Sequence, residues 1–433
     1  MIHTAFDPAP LRAEFSALTQ TDDKGQPAIF FDNPGGTQVP NAVIEAVSDY
    51  YRTKNANVGG AFATSRRTDE TVWAARTAVA DLLNAPGGET IVFGASMTAL
   101  TFHLARAFGE TIRPGDEIIV TNLDHDANVS PWTDLESNGA ILRVVDVHPE
   151  DGTLDVASLE AALSPRTRLV AVTHASNAVG TVPDVVAIVK MAHAAGALVF
   201  VDAVQYAPHG PINVQALDCD FLACSAYKFF GPHVGALYGK TEHLERLTPH
   251  KVRPAKNTIP HRWETGTLNH EGLAGVTAAV DYLARVGGRF GGAYRDALAA
   301  EGYAGRRLTL KTALAAIRDY EQTLSLRLLA GLQTLPGVTI HGLTDPARLG
   351  ERVPTVAFTW PGRLSPRATV EHLGANGVCA WSGNYYALRL MERLGLEASG
   401  GAIRVGAAHY NTFGEVDRVV ALLHDMPPPP PPR

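Results

Sequence analysis

Residues 197–228 read ALVFVDAVQYAPHGPINVQALDCDFLACSAYK, and this stretch decides the fold. It holds two short apolar runs, ALVFV at 197–201 and FLAC at 221–224, each followed by polar residues. Near-continuous apolar runs of this length are typical of strands buried on both faces, as in a parallel sheet. We therefore expect Asp202 and Lys228 to lie at one edge of such a sheet, outside the carboxyl ends of its strands.

The same pattern extends in both directions from this stretch. Amphipathic segments such as 99–108 and 184–196 separate several of the runs and have the spacing of helices. Alternating strands and helices predict a doubly wound α/β domain with a mostly parallel, seven-stranded sheet. The five further apolar runs are TIVFG (90–94), EIIVT (117–121), LRVVDV (142–147), RLVAVTH (168–174) and VGALYG (234–239).

The rest of the chain has a different organisation. A long helical stretch from Glu271 to Arg327 leads into short runs such as TVAFTW and AIRVGAAHY, with helices predicted at 366–374 and 413–424. This pattern indicates a smaller C-terminal α+β domain. We predict four parts: an N-terminal segment (1–35) that contributes to the small domain, a large domain (36–290), linker helices with the small domain (291–426), and a disordered polyproline tail (427–433).

Composition excludes several classes of protein. The 433 residues carry a net charge of −7, which argues against a nucleic-acid or anionic-membrane partner. No apolar run reaches the roughly 18 residues of a membrane helix, and residues 1–10 lack the pattern of a secretory signal. Cys219, Cys224 and Cys379 are too few for a disulfide framework and lack metal-ligand spacing. We expect a cytoplasmic protein without a metal.

Small and polar residues follow several predicted strands, at the sheet edge where ligands bind. The turn at 94–98 includes Ser96 and Met97 and precedes a helix; its free N–H groups suit a phosphate, although an ordinary helix cap explains it more simply. His125 follows EIIVT, where it can stack on a planar ring, shuttle a proton or cap a helix. Asn177 follows RLVAVTH, where it can bind a carboxylate or form an ordinary turn.

The two strands of the opening stretch contribute the most reactive groups. Asp202 ends a buried strand, and a carboxylate there is costly unless it is paired or hydrogen-bonded. Gln205 follows it. Lys228 comes after Ser225 and Tyr227 and precedes two phenylalanines, so we expect burial to depress its pKa and leave an amine able to attack an aldehyde. The alternative is a simple ion pair between Asp202 and Lys228.

The combination is more specific than its members. A phosphate cradle, a ring-stacking histidine, an acid and a reactive amine meet the separate needs of pyridoxal phosphate. The rival interpretation, a nicotinamide-dependent oxidoreductase, needs no such lysine, and the G-x-G-x-x-G fingerprint of dinucleotide binding does not follow the early strands. The sequence therefore favours pyridoxal phosphate as the cofactor.

At this point the sequence resembles a known family, the fold-type I, class V aminotransferases, in the branch of cysteine desulfurases and selenocysteine lyases. The resemblance runs from FFDNPGG (30–36) to HYNTFGEVDRVV (409–420) and implies a pyridoxal-phosphate enzyme that acts on an amino acid. The motifs that carry it are IVFGASMTAL (91–100), NLDHDANVSPW (122–132), THASNAVGTV (173–182), VFVDAVQ (199–205), SAYKFFGP (225–232), ETGTLNH (264–270) and IRVGAAHYNT (403–412).

The resemblance implies a role for each matching residue. Lys228 matches the lysine that forms the internal aldimine and moves the α-proton. Asn177 and Arg404 match the pair that grips the substrate carboxylate. Thr267 matches a threonine that reaches the phosphate of the neighbouring subunit, which implies a homodimer. The positions that match cofactor ligands are Ser96, Met97, His125, Asp202, Gln205, Ser225, Tyr227, Lys228 and Thr267.

The departures from the family pattern bear on the reaction. In WSGNYYALRLM (381–391), Tyr386 takes the place of the cysteine that accepts sulfur, and Trp381 the place of an arginine. Tyr227 replaces the histidine that helps hold the phosphate. Tyrosine cannot form a persulfide. Cys379 lies nearby in an apolar pattern that indicates a core residue rather than a displaced nucleophile.

We therefore expect lyase chemistry, breaking a C–S or similar β-bond without a protein persulfide, with Lys228, His125 and Tyr386 as the catalytic residues. Tyr386 either donates a proton or lines the pocket, beside Trp381 in the substrate site. Transamination, epimerisation and a true desulfurase with another thiol stay open, as does a binding protein that has lost catalysis.

Overall fold

The structure is a computed structural model, which describes residues 6–21 and 24–426. The predicted polyproline tail at 427–433 lies outside the described residues. The strands are β1 (Ile29–Phe30), β2 (Ile91–Gly94), β3 (Glu117–Thr121), β4 (Ile141–Val145), β5 (Thr167–Thr173), β6 (Leu198–Asp202), β7 (Phe221–Ser225), β8 (Gly235–Gly239), β9 (Thr339–His341), β10 (Thr355–Thr359), β11 (Val378–Cys379), β12 (Trp381–Gly383) and β13 (Ala402–Gly406).

The α-helices range from single turns to the long α12. They are α1 (Ala9–Arg12), α2 (Asn41–Thr53), α3 (Ala63–Leu83), α4 (Met97–Gly109), α5 (Ser130–Thr133), α6 (Val156–Ala162), α7 (Val185–Ala194), α8 (Val214–Leu217), α9 (Thr241–Arg246), α10 (His270–Phe290), α11 (Arg295–Ala300), α12 (Gly305–Gln333), α13 (Pro366–Gly374), α14 (Leu388–Arg393) and α15 (Phe413–His424). Among these described helices, none is long and apolar enough to cross a membrane.

The large sheet confirms the predicted fold class. Its seven strands lie in the order β2-β8-β7-β6-β5-β3-β4. The pairs within β7-β6-β5-β3-β4 are parallel, and β8 runs antiparallel to both of its neighbours. β3 and β7 are buried along their whole length, as their mostly apolar sequences predict. The carboxyl ends of β3, β5, β6 and β7 therefore meet along one edge.

β4 departs from the expectation that every apolar run is buried on both faces. It ends the sheet, and Ile141 and Val144 are 37% and 38% exposed. An edge strand has a neighbour on one side alone, so fewer elements cover it. Arg143, between these two residues, forms an ion pair with Glu117 of β3 at 2.8 Å.

The predicted helical stretch from Glu271 to Arg327 consists of three α-helices, the last of which continues to Gln333. α10 ends at Phe290, two glycines follow, and the short α11 precedes α12. Gly302 and Gly305 have φ of +93° and +54°, conformations that break a right-handed helix and that glycine adopts without strain. α10 packs against α2, α3 and α12 in one helical layer.

The small sheet is antiparallel, in the order β12-β13-β10-β9, and α13 and α15 coincide with the helices predicted at 366–374 and 413–424. β1 pairs in parallel with β11, so Ile29 lies opposite Val378. This pairing brings the beginning of the chain beside the small sheet. The boundaries of the four predicted parts stay predictions.

Candidate active site

A cleft of about 1020 Å³ opens between the edge of the large sheet and the segment after β12. A smaller cavity of about 60 Å³ adjoins it, and Lys228 lines both, together with His125, Asn177 and Tyr227. Asp202 and Gln205 line the smaller cavity, and Arg404 lines the cleft. The structure thus brings the residues selected from separate strand ends into one continuous space.

Lys228 is a buried amine without an acidic partner. Its side chain follows β7, is 7% exposed, and donates a hydrogen bond to the carbonyl of Pro34. Burial lowers the pKa of Lys228 to about 7, helped by the charge of Arg404 and opposed by Asp202. This direction confirms the expected depression of the pKa. The alternative of an ion pair with Asp202 is wrong, because none forms between these two described residues.

Asp202 is held by the backbone instead. It ends β6, it is buried, and its Oδ1 accepts a hydrogen bond from the N–H of Val204 at 2.9 Å. Burial raises the pKa of Asp202 to about 6, while the Val204 hydrogen bond and the charge of Lys228 oppose the rise. A buried carboxylate of this kind can pair with a protonated nitrogen that enters the cavity.

The turn before α4 brings three of the predicted phosphate ligands together. Ser96 caps the helix, its Oγ accepting from the N–H of Ala99 at 3.2 Å. The N–H of Met97 donates to the Oγ of Ser225 at 3.0 Å, which ties the turn to the end of β7. A Cβ on Gly235 would lie 2.3 Å from the carbonyl carbon of Ser96, so β8 approaches this turn as closely as glycine allows. The positive end of α4 suits an anion.

His125 is a neutral ring at the wall of the cleft. Its Nδ1 accepts from the N–H of Ala127 at 3.0 Å, which leaves Nε2 to carry the proton. Burial lowers the pKa of His125 to about 4, helped by the charge of Lys228 and opposed by that of Asp126. The ring stacks on that of Tyr386, with centroids 5.5 Å apart and planes inclined by 27°.

Arg404 and Asn177 are held in place by contacts that leave donors and acceptors free. Nη1 of Arg404 donates to the carbonyl of Asn177 at 2.9 Å, and its guanidinium lies 4.2 Å from the ring centre of Tyr385. The amide of Asn177 donates to the carbonyl of Tyr385 at 2.8 Å. Burial lowers the pKa of Arg404 to about 10, so it stays charged at neutral pH.

The segment after β12 forms the mouth of the cleft. Tyr385 and Tyr386 have φ of +56° and +58°, an unusual conformation for residues other than glycine. The N–H of Asp126 donates to the carbonyl of Tyr386 at 2.7 Å and secures the segment. The side chains of Tyr386 and Trp381 are 72% and 55% exposed, so both predicted residues lie at the entrance rather than at the floor.

The fit of the predicted cofactor is supported by buried polar atoms that have no partner among the described residues. They are Oε1 of Gln205, Oδ1 of Asn177 and Nε of Arg404, and all three residues line the cavity or the cleft. Acceptor and donor atoms buried without partners are costly, so their presence favours a polar ligand there. The amine, acid, ring and anion cradle described above fit the chemical groups of pyridoxal phosphate.

Two further predicted residues have other surroundings. Thr267 lines a separate cavity of about 1200 Å³, with Trp73 and Val252, and not the cleft around Lys228 in the same chain. Tyr227 stacks on His233 with ring centroids 4.9 Å apart, and Nζ of Lys228 lies 5.2 Å from the ring centre of Tyr227.

All three cysteines of the sequence are described, and none lines the cleft or the cavity. Cys219 and Cys224 are fully buried, and burial raises the pKa of Cys224 to about 12. Cys379 is half-buried in β11, so its assignment to the core is correct only in part. Burial and the charge of Asp32 raise the pKa of Cys379 to about 11, which disfavours the reactive thiolate.

Sequence reasoning missed Pro34 and Phe102 as lining residues. Pro34 comes from the chain's beginning and accepts the hydrogen bond from Lys228 across 194 positions. Its signal was the Asn-Pro-Gly-Gly turn at 33–36, directly after an apolar strand. Phe102 lies within α4 and lines the cleft, with nothing in its helical pattern to separate it from a core residue.

Comparisons with known proteins agree with this geometry. The family model of the class V aminotransferases matches residues 29–307 and 304–419. A cysteine desulfurase of Pectobacterium atrosepticum is 34% identical over 95% of this chain and 96% of its own. A probable cysteine desulfurase of Mycolicibacterium paratuberculosis is also 34% identical over 96% of this chain, which spans 57% of that longer protein.

A solved structure shares the fold. The apo structure of the cysteine desulfurase from Thermococcus onnurineus superposes with a TM-score of 0.84 and 28% identity, covering 98% of this chain and 99% of the other. The chain therefore belongs to the class V aminotransferase family, in its cysteine desulfurase-like branch, and is a pyridoxal-phosphate-dependent enzyme.

Proposed function

We propose that the enzyme eliminates a β-substituent from an amino acid, breaking a C–S or similar bond without forming a persulfide on the protein. The observation that carries this proposal is the mouth of the cleft. Tyr386 stands there against His125, and none of the three cysteines of the chain lines the space around Lys228. The side chain of a tyrosine has no thiol and therefore cannot accept a sulfur atom as a persulfide.

The residues around the two cavities would hold the cofactor by its separate groups. Pyridoxal phosphate supplies an aldehyde that binds amines and a ring that accepts electrons. Lys228 would hold the aldehyde, Asp202 the ring nitrogen and Gln205 the ring hydroxyl. His125 would cover one face of the ring, and the phosphate would lie against Ser96, Met97 and Ser225 at the start of α4.

The chain's own residues then position the amino acid and move its protons. Arg404 would bind the substrate carboxylate through donors such as Nε, which has no partner among the described residues. The Nδ2 group of Asn177, which donates one hydrogen to the carbonyl of Tyr385, would donate its second hydrogen to the same carboxylate. Lys228, whose pKa is lowered to about 7, accepts the α-proton at its Nζ near neutral pH. We expect the phenol of Tyr386, at the entrance, to donate a proton to the departing group.

With L-cysteine as substrate, the overall reaction consumes one water and releases pyruvate, ammonia and hydrogen sulfide. The Cβ–S bond breaks, the sulfur leaves with the bonding electron pair and a proton, and water replaces the nitrogen at Cα. The amino acid undergoes no net oxidation or reduction, so no other reactant is required.

Product analysis tests the proposal. Cofactor-loaded enzyme is supplied with L-cysteine and, separately, with β-chloro-L-alanine, and pyruvate, alanine, ammonia and sulfide are measured. We expect equal amounts of pyruvate and ammonia, with no sulfur on any cysteine by mass spectrometry. Alanine with sulfur on Cys379, or no pyruvate from either compound, contradicts the proposal. A keto acid formed solely in the presence of a second keto acid indicates an aminotransferase.

Two variants separate the role of the mouth from that of the distant thiol. Tyr386→Cys places a thiol where the related desulfurases are expected to carry one, and we expect part of the product to become alanine with sulfur at position 386. Cys379→Ala is the matched control and should leave the products unchanged. Loss of turnover in Cys379→Ala, with the fold intact, contradicts a lyase that needs no thiol.

We also propose that the enzyme is a homodimer in which Thr267 serves the partner's cofactor. This is supported by the separation of Thr267 from the cleft of its own chain and by Trp73 and Val252, which are 53% and 67% exposed beside it. Sedimentation equilibrium tests the dimer. The cytoplasmic location stays a prediction.

A further inference from the structure

Behind Gln205 lies a buried side-chain network that the proposed chemistry does not use. It joins three residues, Glu321, His209 and Gln205, which we name the acid–imidazole–amide chain. Oε2 of Glu321 lies 2.8 Å from Nδ1 of His209, and Nε2 of His209 lies 3.5 Å from Nε2 of Gln205. Gln205 also donates to the hydroxyl of Thr355 at 3.0 Å. The network thus runs from α12 to the cavity beside Lys228.

All three side chains are shielded from water. Glu321 is 1%, Gln205 3% and His209 4% exposed. A carboxylate buried to this extent costs stability unless it is hydrogen-bonded. His209 supplies a bond to Oε2, while Oε1 has no partner among the described residues and burial raises the pKa of Glu321. Such a costly group, far from the surface and connected to the cavity, needs an explanation beyond packing.

In the acid–imidazole–amide chain, the direction of each hydrogen bond determines the direction of the next. The carboxylate of Glu321 accepts, so Nδ1 of His209 carries a proton. In the neutral ring, Nε2 is then an acceptor, and it faces the amide nitrogen of Gln205. With its nitrogen turned toward His209 and Thr355, the amide presents Oε1 to the cavity, where this atom has no partner among the described residues.

Other charged groups near His209 do not disturb this order. His409 lies on the segment after β13, and burial lowers the pKa of His409 to about 3, so it is neutral. The hydroxyl oxygen of Tyr282, on α10, lies 2.6 Å from Nε2 of His409. On the β10 side, Arg352 donates to the backbone carbonyl of Thr355 at 2.7 Å and not to the hydroxyl that Gln205 uses.

We propose that Glu321 and His209 are positioning residues that keep the amide of Gln205 turned with its oxygen toward the cofactor. Gln205 then accepts a hydrogen bond from the ring hydroxyl and favours the protonated hydroxyl. The inference rests on the proposed use of pyridoxal phosphate. It concerns a residue on α12 that does not itself line the cavity.

The test is a pH titration of the visible absorbance of the cofactor-loaded enzyme without substrate. In Glu321→Gln, the new amide can donate to Nδ1, the ring proton moves to Nε2, and the Gln205 amide turns its nitrogen toward the cavity. A donor there stabilises the deprotonated hydroxyl. We therefore expect the absorbance transition to move to lower pH by about one unit.

Two variants provide the controls. Glu321→Asp keeps the carboxylate and should return the transition to within about 0.3 units of the wild type, an estimate from the strength of one hydrogen bond. Glu117→Gln makes the same chemical change in another buried glutamate, at the start of β3, which is bound by Ser164 and Arg143 far from the cavity. It should cost stability without moving the transition.

Each outcome decides a different point. A Glu321→Gln transition equal to that of the wild type, or an equal shift in Glu117→Gln, overturns the inference. Where Glu321→Gln does not fold, the double variant Glu321→Met/His209→Phe removes both partners and leaves no unpaired charge, and the same downward shift is expected. A wild-type protein without a cofactor band overturns the proposed cofactor itself, and this inference with it.

Discussion

The enzyme contains two deeply buried lysines, one at the floor of the cleft and one in the helical layer. Lys228 is 7% exposed and Lys311, on α12, is 1% exposed. Burial lowers the pKa of each to about 7, and for each an arginine helps and an aspartate opposes the shift. By their pKa values alone the two amines are indistinguishable.

Their surroundings are not alike. Lys311 donates to the carbonyls of Leu82 and Ile212, and the nearby Arg307 and Asp81 pair with each other at 3.0 Å. The amine of Lys311 and the two charged groups beside it thus all have partners within the fold.

Lys228 has a single carbonyl partner. The nearby Arg404 lines the cleft and Asp202 lines the cavity, and no ion pair joins these two described residues. Charges kept apart beside an open space, rather than a shifted pKa, therefore distinguish the site from the scaffold.

The largest expected effect is on turnover. Lys228→Ala removes the group that we propose holds the cofactor and accepts the α-proton, so the rate should fall by at least about 10³-fold. Borohydride reduction of the wild-type enzyme followed by mass spectrometry should place the cofactor on Lys228. An adduct on Lys311 instead would erase the distinction between the two lysines.

The next effect is on stability. Lys311→Met keeps the volume of the side chain but leaves the carbonyls of Leu82 and Ile212 without their donor. At pH 9.5, where the folded amine is neutral, we expect the free energy of unfolding to fall by about 1–3 kcal/mol, measured by urea denaturation. The cofactor absorbance should not change, and a lost cofactor band would show that Lys311 also serves the site.

A third prediction concerns the pH dependence of stability. In the unfolded chain a lysine keeps its proton to about pH 10.4, whereas folded Lys311 releases it near pH 7. Between these values the unfolded state binds one more proton, so the free energy of unfolding rises with pH, by at most about 1.4 kcal/mol per pH unit for this group. Buried Lys311 therefore destabilises the fold most below pH 7.

Denaturation of the cofactor-free protein between pH 7.5 and pH 9.5 measures this slope, a window chosen from the same reference values. In Lys311→Met, the slope of the free energy of unfolding against pH should be smaller by the contribution of one proton. Equal slopes in the variant and the wild type would mean that Lys311 stays charged in the fold.

The smallest effect is a shift within the site. Because the charge of Arg404 lowers the pKa of Lys228, Arg404→Gln should raise that pKa by about one unit or less in the cofactor-free enzyme. The pH dependence of cofactor attachment to Lys228, trapped with borohydride, reports this change. Arg307→Gln, the equivalent change beside Lys311, should lower stability and leave the attachment profile in place.

The sequence predicts the sheet and the strand-end residues because both depend on local signals. Short apolar runs identify the strands, and the rule that ligands bind at their carboxyl ends selects His125, Asp202 and Lys228 without any knowledge of distant contacts. The exposed face of β4 was not predictable in this way, since an edge strand differs from a central one by its neighbours and not by its own residues.

Other features depend on contacts between distant parts of the chain. The carbonyl that receives the hydrogen bond from Lys228 belongs to Pro34, and the carboxylate behind His209 comes from Glu321 on a different helix. No periodicity connects such pairs. Lys311 illustrates the converse problem, because nothing in the sequence pattern of its helix, α12, predicts a buried amine.

The pairing of β1 with β11 has a consequence for biosynthesis. Val378 leaves the ribosome about 350 residues after its partner Ile29. At about 5–20 residues per second, this interval lasts roughly 20–70 s. During that time β1 has no partner strand, and Lys228, which is made after Pro34, still lacks Arg404. The active site is therefore among the last parts of the molecule to be completed.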